Sequence, residues 1–169
     1  MDHNQIIKSL ASNVTIFSDF LNNKSKEEYL WRPAPEKWCL LEIVCHLYDE
    51  EREDFRTRVR FTLENPDHQP PSINPLGWVT ERKYIEQDYD FMVGKFLKER
   101  KISIDWLKSL KDPQWNNFYE HPVLGALSAE HFLVNWLAHD IFHFRQFIRL
   151  QYEYVKFTSG NDLTYAGAW

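Results

Sequence analysis

The feature that most constrains the fold of this chain is the spacing of its apolar residues. They recur every three or four positions over long segments. That spacing puts apolar side chains on one face of an α-helix, whereas a half-buried strand needs strict alternation. The chain of 169 residues also has only five glycines, too few for the tight turns of many short strands. The sequence therefore predicts an all-α fold.

Four long helices are expected. The first, third and fourth begin at an aspartate, a threonine and a serine, residue types whose side chains cap helix N-termini. Four long amphipathic helices with two substantial connectors predict an up-down four-helix bundle, and the chain length favours one domain over residues 1–169. The helices are expected over about Asp2–Leu21, Trp38–Leu63, Thr80–Leu110 and Ser128–Leu150.

The connecting segments differ in character. Trp31–Trp38 holds two prolines, which fix their own torsions and push each preceding residue out of the helical region. Asn65–Gly77 holds four prolines and predicts a long loop that could cover one mouth of a site. Lys111–Leu127 is the second connector. The tail Phe157–Trp169 has no clear period, and its conformation is left open.

Charge and composition disfavour several classes of partner and location. The chain carries 20 basic and 25 acidic residues, a net charge of -5, which disfavours nucleic acid and anionic membranes as partners. It starts without a signal-peptide pattern and lacks an apolar run of about 18 residues, so a cytoplasmic protein is expected. Cys39 and Cys45 are too far apart along one helix for a disulfide and are predicted core thiols.

Three histidines lie in segments that otherwise have the pattern of buried helix. His139 and His143 are four residues apart and share the apolar face of the fourth helix. His46 shares a face with apolar residues of the second helix. A buried imidazole needs a polar partner or a metal, and histidine is a common ligand of divalent ions. The residues alone leave two readings open, a metal site or three core histidines of a structural bundle.

Three segments carry a resemblance to a known family. They are Pro33-Ala-Pro-Glu-Lys-Trp38, Glu42-Ile-Val-Cys-His46-Leu47 and Ala138-His139-Asp140-Ile-Phe-His143. In order and separation they resemble the DinB-like superfamily, also called the DinB/YfiT-like metalloenzymes, and the likeness covers nearly the whole chain. The resemblance implies a four-helix bundle, often a homodimer, with zinc or nickel held by three histidines. By motif position these are His46, His139 and His143.

The resemblance also implies a class of chemistry. Some relatives are transferases or isomerases that use a low-molecular-weight thiol, and many have no known activity. Three neutral imidazoles leave an open position on a tetrahedral ion, where water or a thiolate could bind. We therefore expect an enzyme acting on a small-molecule substrate, with thiol S-transfer ahead of hydrolysis. The alternative is a non-catalytic metal- or ligand-binding bundle.

Glu50, one helical turn beyond His46, is the first candidate for a catalytic proton carrier or a fourth ligand, and Asp49 is the second. The charge run Asp49–Asp54 is, however, more typical of a solvated helix face than of a catalytic site. Asp140 points away from His139 around the helix, which favours helix pairing or an inter-subunit salt bridge over ligation.

The remaining candidates are weaker. Asn135, four residues before His139, could hydrogen-bond an imidazole or could equally serve packing or solvent contacts. His121 could line the site entrance, although a turn-stabilising or exposed side chain fits its Pro-Gly context better. Aromatic residues in the connectors could wall an apolar pocket, and the other histidines are expected at the surface. The aromatic residues are Trp78 and Trp115, and the histidines are His3, His68 and His131.

Overall fold

The computed structural model describes residues 2–167, most of which are helical. A π-helical segment, Glu50–Phe55, joins the third and fourth α-helices without a break. In chain order the α-helices are α1 (His3–Leu21), α2 (Lys26–Leu30), α3 (Leu40–Asp49), α4 (Arg56–Glu64), α5 (Pro75–Glu81), α6 (Tyr89–Ser109) and α7 (Ala129–Ser159). Single 3-10 turns lie at Tyr84–Glu86 and Thr164–Ala166.

The four long helical segments form the predicted bundle. Helix α1 packs on α6 and α7, α3 packs on α6, and α4 packs on α7. The first, second and fourth predicted helices are confirmed, the second as the continuous run α3, π-helical segment and α4, and α7 extends beyond the predicted end. The tail is described as far as Gly167, and residues 168–169 lie outside the described part of the chain, as does residue 1.

The predicted start of the third long helix is wrong. Thr80 lies near the end of the separate short helix α5, and Lys83 adopts a left-handed conformation with φ of 48° that stops helical continuation. The long helix starts at Tyr89, where the Asp88 carboxylate accepts a hydrogen bond of 2.8 Å from the backbone N–H of Phe91. Two residues suited to capping compete in this region, and Asp88 caps the long helix.

A small antiparallel hairpin interrupts the otherwise helical chain. Strands β1 (Phe118–His121) and β2 (Gly125–Ser128) pair within the connector before α7. The His121 Nδ1 accepts hydrogen bonds from the backbone N–H groups of Val123 and Leu124, at 3.2 and 3.1 Å. His121 therefore stabilises the hairpin turn, and its suggested place at a site entrance is not supported.

Two apolar clusters fill the bundle, one around α3 and the first half of α6, the other around α4 and the first half of α7. Both cysteines belong to the first cluster and are buried as free thiols, as predicted. Burial raises the pKa of the Cys45 thiol to about 12, so it stays protonated at neutral pH. None of the described helices is long and apolar enough to cross a membrane.

A buried ionic network links the four long helical segments. Arg100 of α6 forms a two-pronged pair with Asp140 of α7, at 2.6 and 2.7 Å, and its Nε donates to Glu51 at 2.8 Å. Asn13 of α1 donates to Asp140 at 2.8 Å, and the Trp136 indole N–H donates to Glu51 at 3.0 Å. Asp140 therefore takes part in helix pairing within one chain, as one of the two predictions for it stated.

Candidate metal centre

The bundle brings the three predicted histidines together. His46 projects from α3, and His139 and His143 project from neighbouring turns of α7. One nitrogen from each imidazole lies within 4.8 Å of the other two. Imidazole nitrogens bind zinc at about 2.0–2.1 Å, so the three nitrogens would have to move closer together to share one ion. The described chain thus contains a compact cluster of three potential ligands.

Burial keeps all three imidazoles uncharged. It lowers the pKa of His46 to about 3, that of His139 to about 2 and that of His143 to about 4. The neighbouring imidazoles lower the pKa of His46 and His139 further, because two positive rings in contact repel each other. At neutral pH each ring therefore has a nitrogen lone pair to offer, and metal binding does not have to displace a charge-bearing proton.

The cluster also contains a buried polar atom without a partner, which a bound metal would satisfy. The His46 Nδ1 is buried and has no hydrogen-bond partner among the described residues. A buried polar atom without a partner is costly, and native proteins leave few of them. The His143 Nε2 lies 3.0 Å from the His139 Nε2, so two ring nitrogens already face each other beside His46. Three nitrogen donors clustered in this way suit a divalent cation.

Aromatic rings surround the cluster. The ring of Trp38 lies 5.1 Å from that of His46, Phe55 lies 4.9 Å from His139, and Phe142 lies 5.5 Å from His143, measured between ring centroids. Apolar walls lower the local dielectric and strengthen the interaction between an ion and its ligands. Trp38 and Phe142 are partly exposed, which places them on the solvent side of the site.

Glu50 lies beside the cluster, as the sequence suggested. Its side chain is buried, and its Oε1 is 3.8 Å from the His46 Nδ1, too far for a hydrogen bond. Burial raises the Glu50 pKa to about 9, and the adjoining Asp54 carboxylate adds to the effect. Arg58 in turn forms an ion pair with Asp54. A row of ionisable groups therefore leads away from His46 along the helix.

The prediction that the charge run forms a solvated face is wrong for its first half, because Asp49, Glu50 and Glu51 are all buried. The π-helical segment explains this. Its backbone hydrogen bonds span five residues instead of four, which shifts the helical phase and turns both glutamates toward the bundle interior. Such single-turn distortions are frequent at functional sites.

Asp49 has a structural role that removes it from the list of proton carriers. The hydroxyl of Tyr84 donates to the Asp49 Oδ2 at 2.6 Å, and Arg82 approaches the Oδ1 at 2.7 Å. Arg82 also makes two hydrogen bonds of 2.8 Å to Glu53. These contacts fasten the end of α5 and the following 3-10 turn to the end of α3.

Gln146 contacts an imidazole through its side-chain amide, and the sequence did not predict this contact. Its Oε1 lies 2.8 Å from the His143 Nδ1. Asn135 is exposed and donates to the backbone carbonyl of His131 at 2.8 Å, which agrees with the solvent-contact alternative for this residue and not with a hydrogen bond to an imidazole. The available signal was the spacing of three between His143 and Gln146, which puts both on one helical face.

The peripheral histidines divide into two groups. His68 and His131 are exposed, as expected. His3 instead has partners, since its Nε2 lies 3.0 Å from a Glu130 carboxylate oxygen and its ring stacks on Trp115 at 5.0 Å. Trp115 therefore packs at the end of the bundle and does not wall the histidine cluster.

Trp78 is likewise absent from the site. It is buried in the first apolar cluster, and the guanidinium of Arg82 lies over its ring at 4.4 Å from the centroid. The suggestion that Trp78 and Trp115 wall an apolar pocket is therefore not supported, because both pack in the apolar clusters of the bundle. Trp38, at the end of the proline-bounded segment, takes that place.

Comparison with known proteins identifies the family. The chain resembles the solved structure of YfiT from Bacillus subtilis, described as a probable metal-dependent hydrolase with an unusual four-helix bundle topology. The TM-score is 0.77 at 14% identity, with 95% of this chain and 89% of that chain covered, which shows a shared fold. No curated protein matches. The family model described as the DinB superfamily matches residues 11–147, and the chain belongs to that superfamily.

Proposed function

We propose that this protein is a metal-dependent hydrolase acting on a small molecule, with zinc or nickel held by His46, His139 and His143. The observation that carries the proposal is the cluster of three uncharged imidazole donors within 4.8 Å of one another. The description of YfiT as a probable metal-dependent hydrolase supports hydrolysis and moves it ahead of thiol transfer, which the family resemblance had favoured.

A divalent ion in such a site supplies Lewis acidity, which brings the pKa of a water or a thiol down toward neutral pH. The protein's own residues supply the rest. The aromatic rings of Trp38, Phe55 and Phe142 limit the water around the cluster. Glu50 is placed to donate a proton to the leaving group and then to take up the proton of the nucleophile, because its raised pKa keeps it protonated at neutral pH and its carboxyl lies within 4 Å of a histidine of the cluster.

The role of Glu50 leads to a prediction for Glu50→Gln. This variant keeps the shape of the side chain but cannot give up and regain a proton, so turnover should fall about 10²- to 10⁴-fold while metal content stays unchanged. The measurement is metal-dependent hydrolysis of an activated ester such as p-nitrophenyl acetate by zinc- and nickel-loaded protein. Glu64→Gln, a matched change at an exposed position, should leave the rate unchanged. Full activity of Glu50→Gln would remove Glu50 from the mechanism.

The same assay separates the two alternative functions. If turnover requires an added low-molecular-weight thiol, the reaction is S-transfer, and a cobalt-substituted site should change its spectrum as sulfur enters the coordination shell. If metal binds stoichiometrically and no electrophile is turned over with or without thiol, the protein is a non-catalytic metal- or ligand-binding bundle. Hydrolysis, S-transfer and non-catalytic binding would all use the same three histidines, with one ligand position of the metal left open.

We also propose that the protein forms a homodimer through the outer face of α7. That face is apolar at intervals of seven residues, and its β-branched side chains are 42–60% exposed. A residue repeated every seven positions stays on one stripe of the helix, along which a second copy of α7 could pack. The residues are Val134, Ile141, Ile148 and Val155.

The dimer proposal predicts that Ile141→Lys converts the protein to a monomer, because a lysine in an apolar seam leaves its charge desolvated. Size-exclusion chromatography with light scattering measures the mass. Ile102→Lys, at a similarly exposed isoleucine on α6, is the matched control and should leave the mass unchanged. A monomeric wild type, or an Ile141→Lys variant that remains dimeric, would contradict the proposed seam.

A further inference from the structure

The two nitrogens of His143 have different surroundings. Its Nδ1 lies 2.8 Å from the Oε1 of Gln146, and its Nε2 lies 3.0 Å from the Nε2 of His139. An amide oxygen can only accept a hydrogen bond, so the contact with Gln146 requires a proton on the His143 Nδ1. A neutral imidazole, the form that binds a metal, carries one proton.

The His143 Nε2 must therefore carry the lone pair. This is the nitrogen that faces the other imidazoles of the cluster. The opposite tautomer, with the proton on Nε2, would aim an N–H group at the position where a metal would bind. Gln146 therefore favours the one neutral form of His143 that can act as a ligand.

His46 provides an internal contrast. Its Nδ1 has no hydrogen-bond partner among the described residues, and the nearest carboxylate oxygen, on Glu50, is 3.8 Å away. No direct contact fixes the tautomer of His46 in the way that Gln146 fixes that of His143. The two ligand helices thus differ, with a pre-oriented imidazole on α7 and a less constrained one on α3.

We propose that Gln146 is a positioning residue, which holds His143 as the Nδ1–H tautomer with Nε2 toward the cluster and thereby sets the metal affinity. The proposal rests on the proposed function for the metal itself. Gln146 is only partly buried and contacts solvent, so it contributes little to the core. A purely structural role therefore predicts a small change in metal affinity when the amide is removed, whereas a positioning role predicts a large one.

Two variants test the role of the amide. Gln146→Leu keeps the volume and removes the acceptor, and Gln146→Glu keeps an acceptor oxygen at the same reach. Zinc affinity, measured by competition with a chromophoric chelator, should fall about 10- to 100-fold in Gln146→Leu and be retained in Gln146→Glu. Gln151→Leu, the same change at an exposed glutamine of α7, is the control and should bind zinc like the wild type.

A second readout does not depend on metal. In metal-free protein, ¹⁵N NMR of the imidazole groups distinguishes a protonated ring nitrogen from an unprotonated one. His143 should be protonated at Nδ1 in the wild type and in Gln146→Glu, and should become a mixture of tautomers in Gln146→Leu. Circular dichroism confirms that all variants remain folded, so that a loss of affinity cannot come from unfolding.

The outcomes separate the two proposals. Wild-type zinc affinity in Gln146→Leu, or an unchanged His143 tautomer in that variant, would overturn the role of Gln146 while leaving the metal site standing. A wild type that binds neither zinc nor nickel would overturn the proposed function, and the tautomer measurement would then still decide whether Gln146 orients His143.

Discussion

Replacement of Asp140 with alanine is expected to destabilise the protein by about 3–5 kcal/mol, because it leaves the buried Arg100 guanidinium without its two-pronged partner. Asp140 is fully buried, so water cannot take the place of the carboxylate. Asn13 also loses its acceptor. Urea unfolding followed by circular dichroism gives the free energy of unfolding of wild type and variant.

Two further variants give this prediction its controls. Asp105→Ala removes an exposed aspartate of α6 and should change the free energy of unfolding by less than about 0.5 kcal/mol. The double variant Arg100→Met, Asp140→Ala should lose less stability than the two single changes added together, since no guanidinium remains unpaired. An Asp140→Ala cost below about 1 kcal/mol would show that the network does not hold the helices together.

The second large effect is metal-linked stability. A ligand that binds only the folded state stabilises it by about 4 kcal/mol at a free concentration 1,000 times its Kd. For a chain of this size about 1 kcal/mol raises the Tm by 2–4 °C, so zinc or nickel should raise the Tm by roughly 10 °C. His143→Ala should abolish the rise. The measurement is a thermal melt at increasing metal concentration.

His131→Ala is the matched control for that melt. His131 lies on α7 like His143, but it is exposed and outside the cluster. The metal-dependent rise in Tm should therefore persist in His131→Ala. An equal rise in His143→Ala would mean that the stabilising metal binds elsewhere and would remove His143 from the ligand set.

Much of the fold and the identity of the three clustered residues could be predicted from the sequence. Apolar periodicity identified the long helices because each of them buries one face. The imidazole pair on the buried face of α7 needed either a polar partner or a metal, which marked it as a candidate site. His46 shares a face with apolar residues of its own helix, and the resemblance to the DinB-like superfamily grouped it with His139 and His143. The structure brings these three residues together, while their ligation of a metal stays a prediction.

Other features depend on contacts that a linear pattern does not contain. The π-helical segment shifts the helical phase by one residue, so Glu51 turns inward although its neighbours form a charge run. Arg100 lies in a similar charged run, yet it is buried because Asp140 and Glu51 meet it from other helices. Gln146 is one of many polar residues on α7, and only its distance from the His143 Nδ1 distinguishes it.

Metal content tests the central claim most directly. Untagged protein purified without chelator would be compared by elemental analysis with the triple variant His46→Ala, His139→Ala, His143→Ala, and circular dichroism would confirm that both are folded. The account predicts close to one zinc or nickel ion per wild-type chain and none in the triple variant. A wild type that holds no metal even after reconstitution, or a folded triple variant that keeps it, would contradict the account.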